Sequence, residues 1–431
     1  MSALGAISQI PRQRWPRRGT FHVSFFPHSL FALAVIALIT LLNAPPARAQ
    51  SGIELENVGA TVTFGEQIIF VATIKPSSSI QSVEISIFDE SQGIRRTVLV
   101  NVQPDGHTEY RLDTNDMVLR PFSLIKWNYQ FTLTDGSTTN SEVFSVRYAD
   151  DRFDWQTLES GTLRVSWYDG DQAFGQAAMD ALQGGLASVS RLVAVDLAQP
   201  VEFYIYANAD DLRATLGDNA SQWIAGHADP TLGVVMVIIE PGPEQNIDME
   251  QRIPHELMHV MLYRAVGAGY RNIPAWLTEG TATLVEIYPN ADFDRVLMDA
   301  AEGNRLLPLS SLCGAFPADT GQAFLAYAES RSFTDYLHQT YGSSGLLKLA
   351  SSYADGVDCE RGTEIAFDVP LASLETRWRA ARLGQTPILP ALQNLTPYLV
   401  LFCIVLGIPM ISIMITMRRK GNRNGPQTGN H

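Results

Sequence analysis

Along this chain the spacing of hydrophobic residues changes character twice. From about Ser51 to Tyr148 apolar and polar positions alternate in short runs, as in Val83, Ile85 and Ile87 and again in Trp127, Tyr129, Phe131 and Leu133. A period of two sends successive side chains to opposite faces, so these runs predict half-buried strands. The second run is followed by Asp135-Gly136 and then by Val143 to Tyr148, which together predict a hairpin with a polar connection. Beyond Ala149-Asp150-Asp151 the pattern predicts a strand over Thr162–Tyr168, a helix over Ala173–Val193, and strands over Val201–Tyr206 and Gly233–Ile239. After that the apolar residues recur at helical spacing, near Ile253–Val266, Pro274–Ile287, Gln322–Tyr341 and Leu374–Leu383.

These patterns describe two domains of an α+β chain. Short strands punctuated by Pro and Gly, without a helical stretch, predict an immunoglobulin-like or fibronectin-like β-sandwich over residues 51–149. Strands first and helices afterwards predict an α+β domain over residues 150–383, a mixed sheet followed by a mainly helical lobe. The stretch from Gly384 to Pro397, with its three prolines, is expected to be a linker.

The two ends are read by hydropathy. Arg12, Arg14, Arg17 and Arg18 precede an apolar run from Leu30 to Leu42, and Ala47-Arg48-Ala49 offers a small-x-small cleavage site. Residues 1–49 are therefore expected to be an export signal. Leu399 to Met417 carries no charge, and at the helical rise it would extend about 28 Å, close to a hydrocarbon core. Arg418, Arg419, Lys420 and Arg423 follow at once. A transmembrane helix over 398–417 is expected, with residues 418–431 as a cytoplasmic basic tail and the bulk of the chain outside.

Charge and cysteine use agree with export. All 45 Asp+Glu lie between the two ends, whereas nine of the 31 Lys+Arg lie within them. So acidic an ectodomain argues against nucleic acid as a partner. Cys403 falls in the expected anchor, which leaves Cys313 and Cys359 as the ectodomain pair, predicted to be bridged.

The chemistry sits in His255-Glu256-Leu257-Met258-His259. On a helix, residues four apart share a face, so both imidazoles can reach one ion while Glu256 lies one step round. Zinc with three protein ligands lowers the pKa of a water, and a neighbouring carboxylate takes its proton as the water attacks a carbonyl. Twenty residues beyond His259 stands Glu279, within Trp276-Leu277-Thr278-Glu279-Gly280-Thr281-Ala282, a candidate third ligand.

This pattern, His-Glu-x-x-His followed after nineteen residues by a glutamate in Trp-Leu-x-Glu-Gly-x-Ala, resembles the gluzincin zinc metallopeptidases, which include thermolysin and aminopeptidase N. The span from about Asp151 to Leu383 looks like the bacterial peptidase-MA-like domain. The resemblance implies His255, His259 and Glu279 as ligands of one Zn2+ per chain, and Glu256 as general base and later proton donor. It implies Tyr327 as a hydrogen-bond donor to the developing oxyanion, and a peptide or protein as substrate. The chain lacks the Gly-x-Met-Glu-Asn segment with which aminopeptidase N grips a free amine. In the corresponding place Gly233–Glu240 is expected to be an edge strand for an extended peptide. Pro254 is expected in the first turn of the zinc helix, which would then begin about two residues before His255. His227 and His338 have no spaced partner and are read as non-ligands, and His107 is read as an ordinary loop histidine. The alternative reading is a surface binding or scaffold protein whose zinc domain is structural or inactive, and an intact Glu256 argues against it.

Overall fold

The computed structural model describes residues 53–75, 80–194, 196–217, 225–385 and 388–421. The expected export signal and residues 422–431 of the basic tail lie outside the described residues. The chain is a mixed α+β protein, with β-sheets toward its N-terminus and helices toward its C-terminus.

Strands β1 (Glu54–Thr63), β2 (Gln67–Lys75) and β5 (His107–Asp113) form one sheet in the order β1-β2-β5. Strands β3 (Ile80–Asp89), β4 (Ile94–Val100), β6 (Leu124–Leu133) and β7 (Thr138–Asn140) form another in the order β4-β3-β6-β7, and β8 (Phe144–Arg147) also pairs with β6. The alternation read from the sequence is realised: Ile68, Phe70 and Ala72 of β2 are buried, as are Ile85 and Ile87 of β3. Phe70 meets Trp127 of β6 edge-on, with ring centroids 5.1 Å apart, so the apolar faces of the two sheets touch. The expected hairpin forms, with Trp127 opposite Phe144 and Leu124 opposite Arg147.

A third sheet carries the site. It contains β9 (Gln156–Ser160), β10 (Leu163–Trp167), β11 (Val201–Tyr206), β12 (Gly226–Asp229) and β13 (Val234–Ile238), in the order β12-β13-β11-β10-β9. The three central strands are parallel and both outer strands antiparallel to their neighbours. Here the expectation for Gly233–Glu240 is corrected: β13 is interior, and the outer strand is β12. Val234 to Val237 are all buried, as in a strand covered on both faces, whereas β12 reads Gly-His-Ala-Asp and gives no alternating signal.

Both faces of this sheet are indeed covered. On one side Val165, Phe203 and Val235 pack with Phe174 of α1 (Gln172–Val189) and with Ile253 and Leu257 of α3 (Gln245–Val266). On the other side Tyr204, Tyr206, Val234 and Met236 pack with Leu212 of α2 (Ala209–Leu216) and with Phe122 from the N-terminal β-region. That is why all six residues of β11 are buried.

The helical part continues with α4 (Ala275–Leu284), α5 (Asp292–Glu302), α6 (Thr320–Ala354, broken at Gly342), α7 (Cys359–Phe367) and α8 (Leu371–Leu383). Phe333 of α6 is the hub, 5.0 Å from the ring of Trp276 in α4 and 5.7 Å from Trp378 in α8. Cys313 and Cys359 are bridged, with Cα atoms 6.1 Å apart. The last helix, α9, runs from Ile388 to Gly421 and so takes in most of the stretch expected to be a linker. Its segment Leu395–Ile415 is long and apolar enough to cross a membrane.

Candidate metal centre

The site begins with a proline. α3 starts at Gln245, well ahead of the start that Pro254 predicts, so Pro254 is interior and buried rather than in the first turn. An interior proline has no N–H for the carbonyl four residues before it, here that of Glu250. That carbonyl instead accepts from the backbone N–H groups of Ile287, at 2.9 Å, and Tyr288, at 3.4 Å. The irregular stretch after α4 is thereby strapped to α3, and Glu286 is brought beside His255.

α4 meets α3 from the other direction. A Cβ on Gly280 would stand 2.5 Å from the Ser330 carbonyl oxygen and 2.2 Å from Thr334 Oγ1, so α4 lies directly against α6 only because position 280 has no side chain. This approach sets Glu279 between the histidines of α3 and Tyr327 of α6. Nε2 of His255 is 3.3 Å, and Nε2 of His259 3.8 Å, from Oε2 of Glu279. One ligand atom from each of the three lies within 4.8 Å of the others. The remaining ring nitrogens are held: Nδ1 of His255 is 3.0 Å from Glu286 Oε1, and Nδ1 of His259 is 2.8 Å from the Tyr270 hydroxyl.

Burial and charge set the protonation states. Burial opposes charge on His255, but the carboxylates of Glu279 and Glu286 outweigh it and hold its pKa well above the ordinary value. Burial pushes Glu256 up to about 7 and His259 down to about 4. It also works against ionised Glu279, yet the two histidines and a hydrogen bond with Tyr327 keep that carboxyl below its usual range. Burial, then Glu279 and Glu256, raise the Tyr327 phenol, so it stays protonated and able to donate.

Two cavities of about 230 Å³ each open on either side of Glu256 and share Gly226, His255, Glu256 and Tyr327 as walls. One continues over His227, His259 and Glu279; the other runs toward Arg252, Asn290 and Phe293. Strand β12 forms the neck between them, since a Cβ on Gly226 would stand 2.4 Å from Glu256 Oε1.

All five residues singled out in the sequence meet at this cleft: His255, Glu256, His259, Glu279 and Tyr327. His227 lines it as well, outside the group of three ligand atoms. His338 lies 3.2 Å from Ser343 Oγ, in α6, and His107, expected in a loop, is instead the first residue of β5, paired with Thr73 of β2. The sequence reading missed Glu286 and Tyr270. Neither has a spacing signature: Tyr270 lies in the short 3-10 helix Gly267–Asn272, and Glu286 in the irregular stretch just past α4.

Residues 181–383 match the Peptidase MA superfamily. No curated protein matches the chain. Among solved structures, the M1 zinc metallopeptidase from Deinococcus radiodurans is 11% identical, covering 78% of this chain and 95% of its own, with a TM-score of 0.31. A purple acid phosphatase from yellow lupin seeds is 11% identical over 48% of this chain and 39% of its own, with a TM-score of 0.18. A polysaccharide deacetylase from Bacillus cereus is 8% identical over 55% of this chain and 79% of its own, with a TM-score of 0.20. Superpositions this loose carry no argument, so the family match stands by itself. Residues 181–383, the stretch matched to the Peptidase MA superfamily, hold α3, α4 and the group of His255, His259 and Glu279, and the match supports a gluzincin-like peptidase domain there.

Proposed function

We propose that this chain is a membrane-anchored zinc metallopeptidase that hydrolyses peptide bonds outside the cytoplasm. The observation that carries the reading is the convergence of two imidazole nitrogens from α3 and one carboxylate oxygen from α4 within 4.8 Å, with Glu256 on the same cleft. Ligand atoms around a tetrahedral zinc stand about 3.4 Å apart, close to the 3.3 and 3.8 Å separations here. Both histidines also have their second nitrogen held by an oxygen, the support that ligating imidazoles require. His255, His259 and Glu279 would hold the ion.

Zinc, when bound, supplies a Lewis acid that polarises a carbonyl and makes water a nucleophile at neutral pH. Glu256, with a pKa near 7, accepts the proton from the attacking water and returns it to the leaving amine nitrogen. Tyr327 donates its hydroxyl proton in a hydrogen bond to the oxyanion that forms from the carbonyl. Strand β12 offers main-chain groups along the cleft, so an extended peptide substrate can lie against it. In this reading residues 51–149 are an immunoglobulin-like sandwich, 150–383 the peptidase domain, and 398–417 a single membrane span with a cytoplasmic C-terminus.

The test is Glu256→Gln in the full chain, assayed on a peptide library with metal analysis alongside. The variant is expected to keep about one zinc per chain and to lose about 10²–10⁴-fold in hydrolysis. Hydrolysis at the wild-type rate would sink the reading.

A further inference from the structure

The β-region that precedes the peptidase domain reaches the strand beside Glu256 through one arginine. Arg120 lies in the connection between β5 and β6, and its Nη1 donates to Asp229 Oδ2 at 2.7 Å and to Thr231 Oγ1 at 2.8 Å. Asp229 is the last residue of β12, and its other carboxylate oxygen closes the turn into β13 by accepting from the N–H groups of Thr231 and Leu232, each at 3.2 Å. Arg120 therefore holds the end of the four-residue strand whose first residue, Gly226, packs against Glu256. The surrounding contact is built to keep that grip in place. Phe122 stacks on Tyr204 with centroids 3.6 Å apart, and Arg147 pairs with the buried Glu202 at 3.1 Å.

Beyond that turn, β12 is held by its pairing with β13 and by its packing on α3. It pairs with β13 over four residues, and no other strand lies on its outer edge among the described residues. A short outer strand opens locally more easily than a central one, so a side chain that grips its closing turn adds to what keeps it in place.

We infer that Arg120 is a positioning residue for peptide binding: it sets β12 at the height over Glu256 at which an extended substrate is held. This rests on the proposed peptidase reading for the substrate, though not for the mechanical coupling. The geometry makes a specific demand of a replacement. Both hydrogen bonds leave from one nitrogen, so a lysine ammonium can make both, while methionine keeps the length and makes neither.

The experiment compares wild type, Arg120→Lys, Arg120→Met and Asp229→Asn as full chains purified in detergent. Each is measured by backbone amide exchange, by thermal unfolding and by steady-state cleavage of a peptide long enough to lie along β12. Arg120→Met is expected to speed exchange of the amides of residues 226–229 by about tenfold and to raise KM by about as much. Its kcat should stay within about twofold and its zinc content unchanged. Arg120→Lys should restore both readouts, and Asp229→Asn should resemble the methionine variant. Unchanged exchange in Arg120→Met overturns the inference, and so does faster exchange with unchanged KM. Lowered kcat with equal loss of thermal stability in every variant, lysine included, also overturns it in favour of a merely structural role. If wild type cleaves no peptide, the peptidase reading fails, and the exchange of residues 226–229 alone decides whether Arg120 holds the strand.

Discussion

Oε1 of Glu286 stands 3.0 Å from Nδ1 of His255, 31 residues away in sequence. The contact turns the ring so that Nε2 points at Glu279. Replacing Glu286 with alanine frees the ring and leaves a buried nitrogen without its partner, and zinc affinity is expected to fall about 10–100-fold. Competition with a chromogenic chelator checks this. Glu286→Gln, which still offers an oxygen, should lose less.

Gly226 carries a steric prediction. Because a Cβ there would stand 2.4 Å from Glu256 Oε1, Gly226→Ala must move either the strand or the carboxylate. A displacement of this order at a reacting group costs about 100-fold in kcat/KM, with metal content unchanged. Steady-state kinetics on a single peptide would show it.

Tyr327 is bound to Glu279 in the resting cleft and faces the same cavity as Glu256. If its hydroxyl serves the oxyanion, Tyr327→Phe should lower kcat by about 10²–10³-fold while leaving KM nearly unchanged. A change in KM alone would assign the phenol to substrate binding instead.

Glu329 gives a pH dependence of stability. It is fully buried, its Oε1 accepts from the backbone N–H of Leu307 at 2.8 Å, and burial pushes its pKa from 4.5 up to about 7. Between those two values the folded chain holds a proton that the unfolded chain has released, so stability falls as pH rises through that window and levels off above about 7. Relative to wild type, Glu329→Gln should gain about 3 kcal/mol between pH 4.5 and pH 8. Denaturant unfolding at the two pH values measures the difference.

The bridge between Cys313 and Cys359 closes a loop with a sequence separation of 46, and the carbonyl of Cys313 accepts the N–H of Ala275 at the start of α4. Replacing both cysteines with serine should cost about 4 kcal/mol of stability by relaxing the unfolded chain. Equilibrium unfolding of the metal-loaded protein checks the value.

The convergence of His255, His259 and Glu279 was legible because its geometry is local. His255 and His259 share a helix face by spacing alone, and Glu279 sits in a compact motif on the next helix. Strand periodicity likewise located β3 and β6, whose alternate residues are buried. What escaped was set by tertiary contact. Outer strands β9 and β12 are short and polar, so no alternation marks them. The apolar run of β13 was taken for an edge although its burial on both faces makes it interior. Helix α3 extends through Pro254 because neighbouring backbone donates to the carbonyl the proline leaves free, a compensation invisible along the chain.

That compensation reverses the usual expectation for a helix-breaking residue. Alanine at position 254 would suit the helix and supply an N–H to the Glu250 carbonyl, competing with Ile287 for the same oxygen. A substitution that favours the helix would thus slacken the tether on the segment bearing Glu286, so that a gain in helical order is traded against the hold on the His255 ring.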